Sequence, residues 1–151
     1  MKEKFNGVLL HIGSLPSEYG VGTMGAAARK FADFLSDAGQ QYWQLLPICP
    51  TSYGDSPYQS FSTFAGNPYF IDLDLLASEG LLDKKEYVSV NWGDDVSRID
   101  YGRLYEQRYP VLKLAAKRFL ENEPEDFETF CELQAFWLED YALFMTLKDT
   151  H

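Results

Sequence analysis

The stretch from residue 7 to residue 46 most constrains the fold. Residues 7–12 (GVLLHI) form a short apolar run of the kind that makes a buried strand. Ala27, Phe31, Phe34, Leu35 and Ala38 then recur at three- and four-residue spacing. That spacing predicts a helix over residues 26–38, stopped by Gly39. Residues 41–46 (QYWQLL) read as a second strand, closed by Pro47. Strand, helix and strand within about forty residues make a βαβ unit, with parallel strands and a right-handed crossover.

The connections are the second informative feature. Residues 13–25, rich in Gly, Ser and Pro, form a loop after the first strand. Residues 49–68 form a longer one, leaving the carboxyl end of the second strand. Ligands bind on that side in α/β folds, and a structureless loop of about twenty residues is often functional. Its composition is unusual. From Phe31 to Asp83 there is no Lys or Arg, and Asp55 is the one charged residue between Tyr42 and Phe70. Eight aromatic residues fall in that same interval, in a chain that is 16 % aromatic. A neutral, hydroxyl-rich, flat-faced ligand such as a sugar suits such a surface. A packed core would use the same residues, and composition leaves both accounts open.

After Pro68 the pattern changes. Residues 69–73 read as a short extended piece and residues 73–78 as one or two helical turns. Residues 83–99 are polar and irregular. Two long helices follow, over residues 100–120 and 127–148, and they should pack on each other outside the sheet. Pro110 marks a kink or a start in the first. The apolar stripe of the second, which includes Phe130, Trp137, Tyr141 and Met145, is wide enough to predict packing on more than one side. Two parallel strands cannot close a sheet, so the chain is expected to be the amino-terminal part of something larger. The expected division is residues 1–68 as the first βαβ part with its ligand-side loop, and residues 69–151 as a mainly helical subdomain.

Charge and motifs exclude several classes. Thirteen basic and 23 acidic residues give a net charge of −10, the wrong sign for nucleic acid or an anionic membrane. No apolar run approaches the ~20 residues of a membrane span. The basic amino-terminal tip is followed by too short an apolar stretch for a signal peptide. Cys49 and Cys131 form no CxxC pair, so the expectation is a cytoplasmic protein with reduced thiols. Residues 20–25 (GVGTMG) match G-x-G-x-x-G. They lie well beyond the first strand, however, and no acidic residue stands at the second strand's tip. Dinucleotide binding is therefore not expected. No phosphate-binding or zinc motif is present, and two histidines, His11 and His151, cannot make a metal site. No cofactor is expected.

Asp55 stands alone in YGDSPYQ, residues 53–59. It suits either a ligand contact or a turn cap, and in both cases it would order Ser56 and Tyr58. Asp72 and Asp74 read as local turn or cap residues. Glycoside chemistry with retention needs two carboxylates about 5 Å apart, from different strand ends. Residues 11–14 (HIGS), at the end of the first strand, offer no partner for Asp55. No catalytic pair is present.

Residues 7–16 (GVLLHIGSLP), 19–22 (YGVG) and 44–51 (QLLPICPT) resemble the 4-α-glucanotransferases, also called amylomaltases or disproportionating enzymes, glycoside hydrolase family 77. So do residues 53–62 (YGDSPYQSFS), 65–68 (AGNP) and 137–144 (WLEDYALF), with the densest likeness over residues 7–75. The resemblance implies a (β/α)8 barrel with helical insertions. It implies transfer of α-1,4-glucan segments between maltooligosaccharide or starch chains, through a covalent glycosyl–enzyme intermediate. The family's nucleophilic Asp, acid/base Glu and stabilising Asp lie on the fourth, fifth and seventh strands, which this chain does not reach. The resemblance further implies that Tyr58 lines the sugar pocket, with Ser56, Asp55 and Gln59 as orienting polar groups and Ser14 a lesser one. Tyr53 and Tyr101, each beside a glycine, are candidates for a second glucan surface. The isolated chain is expected to be inactive. A non-catalytic glucan-binding piece and a purely structural one are the alternatives.

Overall fold

The computed structural model describes residues 4–52, 54–95 and 97–150. The opening βαβ unit is present. Strand β1, Gly7–Leu9, pairs in parallel with β2, Tyr42–Gln44, in the register Gly7 to Tyr42, Val8 to Trp43 and Leu9 to Gln44. Helix α1, Ala26–Asp37, crosses between them. Phe31 on α1 meets the Trp43 ring edge-on at 4.9 Å, and the Trp43 indole N–H donates to the Leu10 carbonyl at 2.7 Å. Gly39 ends the helix in a left-handed conformation, φ +66°, where a side chain would be strained.

Both strands are shorter than expected. Pairing persists through Leu10, whose N–H donates to the Gln44 carbonyl at 3.1 Å. The chain then coils into a 3₁₀ turn over Ile12–Ser14, which buries Ile12. The turn takes Ile12 out of the strand and into the core, so β1 ends before it.

Beyond Pro68 the chain is mostly helical: α2 at Leu73–Ser78, α3 at Lys85–Val88, α4 at Tyr101–Glu121 and α5 at Asp126–Thr150. Residues 83–99 are therefore less irregular than expected, since they hold α3 and the buried Trp92. Pro110 sits inside α4, not at its start. Asp72 caps α2 by accepting from the Leu75 N–H at 3.0 Å, and its second oxygen takes the Thr23 hydroxyl. The two long helices touch through Phe119 against Phe127, 5.0 Å between ring centres, and Lys113 with Asp149 at 3.3 Å.

The core is built from loop and helix residues, with Leu10, Phe31 and Trp43 of the βαβ unit packed against it. Ile12, Leu15, Tyr19 and Val21 of the first loop pack with Phe70, Leu73, Tyr87, Trp92, Leu104 and Val111. It thus draws on both sides of residue 68. Arg108 is enclosed with these residues, completely buried. The wide stripe of α5 departs from expectation. No α5 residue is buried, and Leu133 and Phe136 are each 69 % exposed. Phe64 and Phe61 reach this helix, against Phe136 and Phe144, and they cover one flank of a stripe that runs further round it. Among the described residues, no helix is long and apolar enough to cross a membrane.

Candidate functional site

The loop after β2 is closed at its base. The Asn67 N–H donates to the Ile48 carbonyl at 2.8 Å, and the Asn67 side chain accepts from the Tyr69 N–H at 2.9 Å. Within it, residues 51–52 run against residues 59–60. Thr51 and Ser60 bridge antiparallel, and the Ser52 N–H donates to the Gln59 carbonyl at 2.9 Å. The reversal passes through two successive left-handed residues, Gly54 at φ +91° and Asp55 at φ +55°. Glycine takes that conformation freely and aspartate is among the residues that tolerate it. The Asp55 N–H returns to the Ser52 carbonyl at 3.1 Å.

This turn brings four of the sequence-derived site residues together: Asp55, Ser56, Tyr58 and Gln59. The ordering group for Tyr58 is Ser56, whose hydroxyl accepts from the Tyr58 N–H at 3.3 Å. The Gln59 N–H donates to the Ser56 carbonyl at 3.1 Å. Tyr58 is 73 % exposed, so its ring stands free of the core. Partial burial pushes the Asp55 carboxyl upward, and its charge reaches the phenols of Tyr69 and Tyr101. Both phenols are pushed up, first by their own burial and then by neighbours that include Asp55.

Ser14 lies elsewhere. It is exposed on the 3₁₀ turn after β1 and lines a groove of about 600 Å³ together with Gly20, Trp92, Ser97, Arg98 and Tyr101. Tyr101, at the first position of α4, is half-buried and tilted against Tyr69 at 6.2 Å. Ser14 therefore shares a groove with Tyr101 and not with Tyr58. Tyr53 lies outside the described residues. The groove residues Trp92, Ser97 and Arg98 carry no motif, and only the fold brings them opposite Ser14. His11 is half-buried just before the 3₁₀ turn that follows β1, edge-on to Phe70 at 5.2 Å, and burial lowers its pKa. Cys49 and Cys131 are free, half-buried thiols.

Residues 10–151 match the family model described as 4-alpha-glucanotransferase. The chain belongs to the 4-alpha-glucanotransferase family. The 4-alpha-glucanotransferase of Clostridium butyricum is 54 % identical over 139 residues, which is 92 % of this chain and 28 % of that protein. That of Thermus thermophilus is 53 % identical over 149 residues, 96 % of this chain and 29 % of the relative. Among solved structures, the amylomaltase from Streptococcus agalactiae in complex with acarbose superposes with a TM-score of 0.92 at 45 % identity, over 97 % of this chain and 30 % of that one. The chain thus spans under a third of the length of these 4-alpha-glucanotransferases.

Proposed function

We propose that this chain supplies the first two strands of a (β/α)8 barrel and the glucan-facing loop of a 4-α-glucanotransferase. A protein of full family length carrying it transfers α-1,4-glucan segments between maltooligosaccharide or starch chains, with retention of configuration. Residues 1–68 form the opening barrel part and residues 69–151 a helical insertion, and the enzyme works in the cytoplasm. The family match over residues 10–151 carries this reading. The likeness to a structure holding acarbose, an oligosaccharide-like ligand, supports the substrate class.

In this reading the exposed Tyr58 ring stacks on a sugar face while its hydroxyl bonds a sugar oxygen. Ser56 and Gln59 orient the chain beside it. Asp55 is the one carboxylate on this turn, and retaining transfer needs two across the scissile bond. The nucleophile and the acid/base are therefore assigned outside residues 1–151. Asp55 is a binding and turn residue, and Ser14 is a lesser contact across the first loop. Tyr53 and Tyr101 form a second glucan surface. No cofactor and no metal is required.

Incubation with maltotriose tests this directly. A protein of full family length carrying this sequence should release glucose and longer maltooligosaccharides, and the 151-residue chain should release neither. Turnover by the 151 residues alone would overturn the placement of the catalytic groups.

A further inference from the structure

Arg108 is a fully buried cation that the reading above does not use. Its two terminal nitrogens hold two backbone carbonyls from distant segments. One donates to Tyr19 at 3.2 Å and the other to Ile71 at 2.7 Å. Its Nε has no partner among the described residues. The guanidinium lies 5.7 Å from the centre of the Trp92 ring; burial pulls its pKa down to about 10, against the opposing charge of Asp72, the residue next to Ile71.

The Tyr19 carbonyl lies within the loop after β1, and the Ile71 carbonyl just beyond the loop after β2. Tyr19 leads through Gly20 to Gly22, whose N–H donates to the Gly13 carbonyl at 3.1 Å, directly before Ser14. Ile71 follows the turn Pro68–Phe70, which Asn67 caps, and Asn67 closes the base of the loop that carries Tyr58. Tyr19 is also fixed at its far end, where its hydroxyl donates to Asp74 at 3.0 Å. A planar guanidinium presents its donors in a rigid fork, so the two carbonyls are held at a set separation.

We propose that Arg108 is a positioning residue for glucan transfer: its fork fixes the loop after β1 against the loop after β2, and so sets the spacing of the Ser14 and Tyr58 contacts along the sugar chain. This rests on the glucan-transfer reading. The ammonium of Arg108→Lys is a compact point charge that cannot reproduce the two-carbonyl fork, and Arg108→Met keeps neither bond.

The test uses a protein of full family length carrying this sequence, with both variants, assayed on maltotriose well below the melting temperature of each. Misplaced binding groups should raise KM progressively from Arg to Lys to Met and lower kcat/KM by roughly ten- to a hundredfold. Damage to folding alone would reduce the active fraction, and with it apparent kcat, while leaving KM unmoved. Amide hydrogen exchange gives a second reading should Arg108→Met fail to fold. In Arg108→Lys the Gly22 and Asn67 N–H groups should exchange faster, while that of Ala38 at the end of α1 keeps its rate. Unchanged KM together with unchanged exchange at Gly22 and Asn67 would overturn the role of Arg108. A wild type that leaves maltotriose untouched would overturn the glucan reading instead, and exchange would then judge the clamp by itself.

Discussion

Asp74 accepts the hydroxyl of Tyr87 at 2.7 Å. The same carboxylate takes the Tyr19 hydroxyl at 3.0 Å, and both tyrosines are buried. One side chain on α2 thus joins the first loop to α3. Asp74 is itself exposed and both bonds are only part-buried, so water can replace the lost acceptor, and Asp74→Ala should cost about 1 kcal/mol for each bond. Tyr87→Phe removes a single donor and should cost about 1 kcal/mol. Urea unfolding of the two variants measures the difference, and equal midpoints would mean that Asp74 is not the shared acceptor.

The Glu86 carboxylate is held by Arg118 through two bonds, at 2.7 and 2.8 Å, and accepts the Asp83 N–H at 2.7 Å. Those hydrogen bonds, Arg118 first, pull its pKa down from 4.5 to about 2. The folded value lies below the unfolded one. The contribution to stability is therefore fully present above pH 4.5 and is lost as pH falls toward 2. Unfolding midpoints followed from pH 6 to pH 2 should drop through this window, and Glu86→Gln should flatten the drop. A parallel decline in the variant would assign the acid sensitivity to other groups.

Glycines 22 and 66 should respond oppositely to alanine. A Cβ on Gly22 would run into the Ile12 carbonyl oxygen and the Leu15 backbone, which cannot move without unmaking the 3₁₀ turn. Overpacking against backbone there should cost about 3 kcal/mol or more. A Cβ on Gly66 meets nothing within 4 Å, so Gly66→Ala should stay within about 0.5 kcal/mol of wild type. Thermal melts of the pair, read side by side, check this. Similar melting temperatures would show that the first loop relaxes freely.

The βαβ unit was legible because its signals are local: helical spacing in α1, apolar runs on either side of it, and Gly39 at the stop. Asp72 was legible as a cap for the same reason, since its partner is three residues away. Asp74 reads identically in sequence, yet its partners lie 55 and 13 positions off. Arg108 was hidden more completely. An arginine in an amphipathic helix reads as a solvated charge, and its burial depends on carbonyls 89 and 37 positions away. At the candidate site, the reversal around Asp55 was legible from its Gly-Asp-Ser-Pro composition. The groove opposite Ser14 was not: Trp92 comes from a stretch whose local pattern shows only irregular, polar chain, and nothing local to Tyr101 at the start of its helix ties it to Ser14.

Tyr58 gives the sharpest separation between binding and stability. Its ring is 73 % exposed, and the bonds that order the turn run through the Tyr58 backbone N–H and the Ser56 hydroxyl, not through the phenol. Tyr58→Ala should therefore leave the fold within about 0.5 kcal/mol of wild type. If the ring stacks on a sugar, the same variant loses a stacking face and a hydroxyl bond at the site. That should cost on the order of 1–4 kcal/mol of transition-state stabilisation, or roughly ten- to a thousandfold in transfer rate. Tyr58→Phe keeps the face and should fall between Tyr58→Ala and wild type. Melting temperature and maltotriose disproportionation, measured on the same preparations of a full-length family enzyme carrying this sequence, decide the matter. A Tyr58→Ala enzyme with wild-type transfer rate would remove Tyr58 from the glucan site, because its exposure leaves no loss of stability to mask the result.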